Sequence, residues 1–281
     1  TLLHLVNGQW ANDSDLAQTS SLDSIAMTSP TDGWLTFSSA NHSSSSSFDF
    51  SRYGLAHYDG QHWRAVPLPD SAVFDSIQSS SNLIVRMASA TNGWIMPLEL
   101  QPHGPAVFLH YDGATWQPVM APFDSSMTPP KFYQFNDLAI AGQNELWVIG
   151  NYTDNTPGGE QTMVILHYLN GQWSQVPNLG AGSLDSIGMI SPTDGWIVGH
   201  GGAGTQQLLL HYDGTAWQQI ALTAPLNAAE TDVESLTVGP DGTLWGLIFN
   251  NTTFSDGQIL HFVNGQWQTE AMPNPSNDPN L

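Results

Sequence analysis

ILHYLNGQW, residues 165–173, is an apolar run, an Asn-Gly pair and a second run that ends in tryptophan. An apolar run on either side of Asn-Gly or Asp-Gly is the strongest short-range signal for a β-hairpin, because a two-residue turn of this kind needs φ > 0 at both central positions. The same phrase recurs as LLHLVNGQW (2–10), GLAHYDGQHW (54–63), FLHYDGATW (108–116), LLHYDGTAW (209–217) and ILHFVNGQW (259–267). All six copies carry the dipeptide: Asn7-Gly8, Asp59-Gly60, Asp112-Gly113, Asn170-Gly171, Asp213-Gly214 and Asn264-Gly265.

Working outward, a second phrase precedes the first in each repeat, clearest as SLDSIAMTSPTDGW (21–34) and SLDSIGMISPTDGW (183–196), with looser copies ending at Trp94, Trp147 and Trp245. Ser-Pro-Thr-Asp or Pro-Asp-Gly separates a β-rich run from Gly-Trp-Ile-Val or Leu-Trp-Gly-Leu, so this phrase also reads as two strands around a short turn. The two phrases account for all 11 tryptophans, which makes tryptophan a framework residue. Each unit is a four-stranded meander, a-b-c-d, and successive hairpin tryptophans lie 53, 53, 57, 44 and 50 residues apart. Such lengths match propeller blades and no short helical repeat. The expected fold is all-β: one β-propeller domain over residues 1–281 with complete four-stranded blades at about 21–69, 75–122, 132–178, 183–222 and 233–272, and a tail at 273–281. Residues 2–13 supply only the c-d half of a further blade. Either residues ahead of Thr1 complete a six-bladed ring, the favoured expectation, or the hairpin closes the ring as a two-stranded blade. Thr1 opens without an initiator methionine, which reads as a chain excised from something longer.

Composition narrows the function classes. Four basic residues, Arg52, Arg64, Arg86 and Lys131, face 25 acidic ones, for a net charge of -21 that repels phosphate backbones and anionic lipid surfaces. Nucleic-acid binding is excluded on that ground, and no apolar run is long enough for membrane insertion. No cysteine is present, so disulfide and thiolate chemistry are absent. Sequons at Asn12, Asn41, Asn151, Asn250 and Asn251 matter only in a glycosylating host.

Both short turns, a-b and c-d, fall at one end of each blade, so the longer b-c and d-a connections emerge at the other. Binding residues are expected there. The aromatic and cationic side chains of that face, Phe48, Phe50, Tyr53, Lys131, Phe132, Tyr133, Tyr152 and Phe254, are candidates for stacking on sugar or peptide groups. Six histidines (His4, His57, His110, His167, His211, His261) recur at one hairpin position. A two-residue turn is expected to set them opposite Gln9, His62, Thr115, Gln172, Ala216 and Gln266, with Leu3, Leu109, Leu166, Leu210 and Leu260 opposite the tryptophans. One per blade on outer strands, they are expected to hydrogen-bond within their blades rather than converge on a metal. At the start of the innermost strand, Asp23, Asn136, Asp185 and Glu234 align, followed by Ser24, Asp137, Ser186 and Ser235. Asp23, Asp137, Asp185 and Glu234 are the candidate metal ligands, a carboxylate set suited to a hard cation such as Ca²⁺ or to acid/base work. The alternative is that these groups cap strand ends or bond to neighbouring backbone.

The phrases SPTDGWIVG and LLHYDGTAW resemble the repeats of bacterial secreted propellers related to the sialidase-type BNR (Asp-box) family and to the photosystem II assembly-factor type. The likeness spans nearly the whole chain and rests on framework residues; His-Tyr-Asp-Gly-x-x-Trp lacks the leading serine of a strict Asp-box. Sialidase activity, as the resemblance implies it, needs an arginine triad, and only three arginines exist, with Arg64 on an outermost strand. Five-bladed glycosidases place three carboxylates on inner strands, but nothing here breaks the repeat as an asymmetric active site would. No nucleophile-elbow, phosphate-loop or zinc motif is present. The reading is therefore a non-catalytic extracellular or cell-surface module of bacterial origin with no catalytic residues. It recognises a protein or glycan on its long-loop face, with a lectin-like carbohydrate binder as the alternative and a glycoside hydrolase behind it. Self-association through the incomplete blade is a further expectation.

Overall fold

A computed structural model of the chain describes residues 2–6, 9–13, 20–39, 53–69, 82–98, 107–121, 131–154, 159–177, 179–202, 206–226, 231–239, 241–250 and 257–271. These divide into two compact units, Thr1–Phe135 with Asp154–Thr156, and Asn136–Thr153 with Pro157–Leu281. In the first unit β1 (Leu2–Val6) and β2 (Gln9–Asp13) form a two-stranded sheet. Beside it lie two four-stranded antiparallel sheets, β3 (Ser20–Ser29), β4 (Asp32–Ser39), β5 (Tyr53–Tyr58), β6 (Trp63–Val66), and β7 (Leu83–Ser89), β8 (Asn92–Pro97), β9 (Val107–Tyr111), β10 (Trp116–Met120). The third sheet is β11 (Lys131–Gly142), β12 (Glu145–Asp154), β13 (Thr162–Leu169), β14 (Gln172–Gln175); all but the first residues of β11 and the last of β12 belong to the second unit. That unit also holds β15 (Gly182–Ser191), β16 (Asp194–Gly201), β17 (Gln206–Tyr212), β18 (Trp217–Gln219), and β19 (Thr231–Val238), β20 (Leu244–Asn250), β21 (Gln258–Val263), β22 (Gln266–Ala271). Strands within each sheet follow chain order, so the five expected meanders and the N-terminal half meander are all present. Among the described residues there is no helix, and none long and apolar enough to cross a membrane.

The c-d turns come in two kinds, and the residue before glycine selects between them. In the two Asn copies among the described residues both turn residues are left-handed: Asn170 at φ 49° and Gly171 at 89°, Asn264 at 53° and Gly265 at 78°. In the Asp copies only the glycine is, with φ of 91° at Gly60, 94° at Gly113 and 86° at Gly214. Asp59, Asp112 and Asp213 instead use Oδ1 to accept the backbone N–H groups two and three residues on, at 2.8–3.0 Å. Asparagine tolerates the left-handed region, whereas aspartate gains more by capping two N–H groups with a charge. Those N–H groups, that of the third residue first, hold the three carboxyls below their ordinary values.

Register also departs from expectation. The tryptophans face the residue immediately after each histidine, as in Tyr58↔Trp63, Tyr168↔Trp173 and Leu5↔Trp10, while the histidines face Arg64, Gln117, Ser174, Gln218, Gln268 and Ala11. With the turn on Asn170-Gly171 the flanking pair is Leu169↔Gln172, so the partner of His167 lies two residues further along the d strand than expected, at Ser174 rather than Gln172.

Packing between sheets uses one repeated aromatic joint. The β4, β12 and β16 tryptophans each insert into an aromatic pair on the next sheet: Trp34 against Tyr111 and Trp116, Trp147 against Tyr212 and Trp217, Trp196 against Phe262 and Trp267. The three Trp–Trp contacts are edge-to-face at 5.3–5.5 Å and 83–84°, the geometry that ring quadrupoles favour. Around these joints lie cores such as Trp147, Ile149, Ile187, Ile197 and Leu210, or Trp34, Leu83, Val85, Ile95 and Leu109.

Candidate functional site

The two ends of a blade differ in how much variation they tolerate. At the short-turn end the a-b and c-d turns touch: a methyl group on Gly60, Gly113 or Gly214 would lie 2.8–2.9 Å from the Cβ of Thr31, Thr91 or Thr193. Ser29, Ser89 and Ser191 stiffen the a-b turns by accepting the N–H of those threonines. Four of the six recurring histidines are tied just inside this end, Nε2 meeting the first residue of the b strand in His57–Asp32 (2.7 Å), His110–Asn92 (3.0 Å), His167–Glu145 (2.8 Å) and His211–Asp194 (2.9 Å). The His110 and His167 rings stack on Trp94 and Trp147, and those of His57 and His211 lie tilted against Trp34 and Trp196. These histidines are framework groups, as expected. Where Asn92 replaces the acid, burial holds His110 below its ordinary pKa.

The opposite end of the second unit carries a cluster that does not repeat. A register shift between Leu184 and Ser186 makes Asp185 the extra residue of a bulge in β15. Ser183 pairs with His200 near the end of β16, His200 with Gln207 near the start of β17, and Asp232 follows at the start of β19. His200 Nδ1 bonds Asp185 Oδ2 at 2.7 Å, and Nε2 bonds both oxygens of Asp232 at 3.0 and 3.1 Å. Ser183 donates its hydroxyl to Asp185 Oδ1 at 2.7 Å, and the Gln207 amide donates to Asp232 Oδ1 at 3.3 Å. The Gln207 Oε1 is buried without a hydrogen bond. Asp185, then Asp232, push His200 up to about 10, so the ring is an imidazolium at neutral pH. With both nitrogens donating, it has no lone pair to serve as a base, and Ser183 faces the carboxylate rather than the ring. The cluster is a fixed anionic set of net charge -1, not a nucleophilic triad.

The candidates named from sequence fall in several places. Phe48, Phe50 and Phe254 lie outside the described residues, as does the side chain of Tyr53, whose backbone opens β5. Lys131, Phe132 and Tyr133 are strand residues at the start of β11 rather than loop residues, half-buried, with Tyr133 stacked on Phe135 at 6.2 Å. Tyr152 is likewise in β12, paired with Thr162. Arg86 lies on β7 and reaches the Val85 carbonyl at 3.3 Å.

The inner-strand polar positions are polar for structural reasons. Asp23 and Glu234, like Asp185, are bulge residues, at the shifts Leu22/Ser24 and Val233/Ser235. The neighbouring polar side chains link one inner strand to the next: Ser24 to the Val85 carbonyl, Asn136 to the Leu184 carbonyl, and Ser186 to both the carbonyl and N–H of Leu236. Asp137 is buried and accepts from the Ser186 hydroxyl and the N–H groups of Leu138 and Ile187. A carboxylate with three internal donors, a second locked on His200 and an exposed Glu234 do not fit a Ca²⁺ site. Among the described residues no three His, Asp or Glu side chains are grouped to hold a metal ion. The repetition of the position signals a bulge, and the neighbouring-backbone alternative describes Ser24, Asn136, Asp137 and Ser186.

No family model and no curated protein matches the chain. Solved structures do. YCF48 bound to D1 peptide superposes with a TM-score of 0.51 at 17% identity over 92% of this chain and 71% of that one. A Hadza microbial sialidase gives 0.55 at 13% over 89% of this chain and 58% of that one. The SapL1 lectin in complex with alpha methyl fucoside gives 0.53 at 12% over 96% and 87%. At such identities the likeness establishes the β-propeller fold, and this fold carries binding proteins, lectins and hydrolases alike.

Proposed function

We propose that the protein is a non-catalytic recognition module, working outside the cell, that takes a peptide segment or glycan at the end carrying its long connections. The observation that supports this most is the Asp185–His200–Asp232 cluster. It is a non-repeating polar feature of the described residues at that end of the second unit, it is held by its own hydrogen bonds, and its locked imidazolium suits recognition rather than proton transfer. Partly exposed carboxylates on a chain of net charge -21 select basic or uncharged partners. Carbohydrate is the second reading, because carboxylates beside an amide accept and donate as sugar hydroxyls require. Parallel basic-peptide and glycan arrays test the proposal. Asp232→Asn is expected to weaken the captured ligand by about tenfold, the worth of one charged hydrogen bond, while Gln61→Ala at the short-turn end leaves binding unchanged. Equal affinity in both variants would sink the assignment of the face; silence on both arrays would sink the recognition reading.

A further inference from the structure

The sheet β3–β6 carries a second, unrelated surface. Its inner-strand phrase is nearly identical to that of β15, yet Ile25 is 48% exposed where Ile187 is 4%, and Met27 is 46% exposed where Met189 is 8%. At the Ile25 position the other sheets have Val85 at 0%, Leu138 at 1% and Leu236 at 5% exposure. The difference lies in what precedes. Ile187 and Met189 are covered by the a and b strands of the preceding sheet, through Ala139, Ala141, Trp147 and Ile149. Among the described residues of the first unit, what precedes β3 is the c-d pair: Leu2 of β1 packs against Leu35, Ala56, Tyr58 and Trp63. In every other sheet the c strand lies between two strands, whereas among the described residues β1 pairs with β2 alone.

We infer that the open edge of β1, together with the apolar face bearing Ile25 and Met27, is a docking seat for a β-hairpin of the chain's own a-b pattern. The incoming b strand adds to β1 and the a strand covers Ile25 and Met27, as β11 and β12 cover Ile187 and Met189. Backbone pairing supplies affinity and the two apolar side chains set register, the logic of strand addition at a sheet edge. The occupant is identified by the repeat itself: Ala26 and Trp34 of an a-b pair close on Val85, and Ile190, Trp196 and Val198 of another close on Leu236, as Ala139 and Ile149 close on Ile187.

A hairpin copied from residues 131–154 and joined ahead of Thr1 by a flexible linker tests the seat at high effective concentration. Oxidation of Met27 by dilute peroxide is expected to slow about sixfold, following the fall from 46% to 8% exposure between Met27 and Met189. Met120, 52% exposed on β10, serves as the internal control and keeps its rate. Ile25→Glu, a change at an exposed position that the chain tolerates, should abolish the protection. Unchanged Met27 oxidation in the tethered protein overturns the inference. So does protection of Met27 in the untethered chain as its concentration rises, with a dimer in light scattering, because a second copy would then be the occupant.

Discussion

Replacing His200 by glutamine removes the cation that holds Asp185 and Asp232 together. The wild-type ring makes contacts of 2.7 Å to one carboxylate and 3.0 Å to the other. A neutral amide leaves the two carboxylates facing each other across roughly 8 Å, a repulsion of about 2 kcal/mol at an effective dielectric constant near 20. Weakening the charged hydrogen bonds adds about 1 kcal/mol more. The variant should therefore unfold about 3 kcal/mol more easily at neutral pH. The pH dependence is sharper evidence. The folded His200 value of about 10 lies above the ordinary 6.5, so the folded protein holds this proton more tightly than the unfolded chain. The stabilisation is complete below pH 6.5 and is lost as pH rises towards 10. At about 1.4 kcal/mol per unit the ceiling is near 5 kcal/mol; the side chain is 25% exposed, and solvent screening reduces the expected loss to about half of that. Urea unfolding of both proteins across that window should show the wild type converging on the variant at alkaline pH. NMR of the ring should show no titration near 6.5. An imidazole that titrates there, or parallel pH profiles for the two proteins, refutes the locked-imidazolium reasoning.

Two further outcomes separate causes that usually act together. Gly171→Ala and Gly214→Ala both place a side chain at positive φ, 89° and 86°, but only the second meets a neighbour, with Thr193 Cβ at 2.8 Å. Thermal unfolding should give a loss of about 1 kcal/mol for the first, and at least about twice that for the second. Asp137→Ala removes a buried acceptor from one hydroxyl and two N–H groups; a loss of about 3 kcal/mol is expected by urea titration, and a loss under about 1 kcal/mol would show that water replaces the carboxylate freely.

Fold was legible because tryptophan and the turn dipeptides recur with blade spacing, and both signals are local. The difference between Asn170 and Asp213 was equally visible, yet its consequence depends on whether a side chain caps N–H groups or its backbone turns left-handed, which spacing alone does not decide. The inner-strand acids drew attention by repeating, when a bulge residue repeats for structural reasons. The non-repeating group carried more meaning. Among the positions at which copies 21–39 and 183–201 differ, Ser38 against His200 is the one that brings in a titratable group, and it breaks the repeat without making the asymmetric active site whose absence the sequence implied. Asp185 and Asp232 could not be assigned to it from sequence, because they lie 15 and 32 residues away and meet it only across paired strands.

The touching glycine and threonine turns have a practical corollary for engineering. A surface in which even a methyl group on Gly60, Gly113 or Gly214 would run into a threonine Cβ has little slack for added bulk. Foreign epitopes or randomised libraries therefore belong in the segments joining β4 to β5 or β16 to β17. Coupling chemistry for a sensor chip belongs at the tight side, where it anchors the molecule and leaves the variable side facing the analyte.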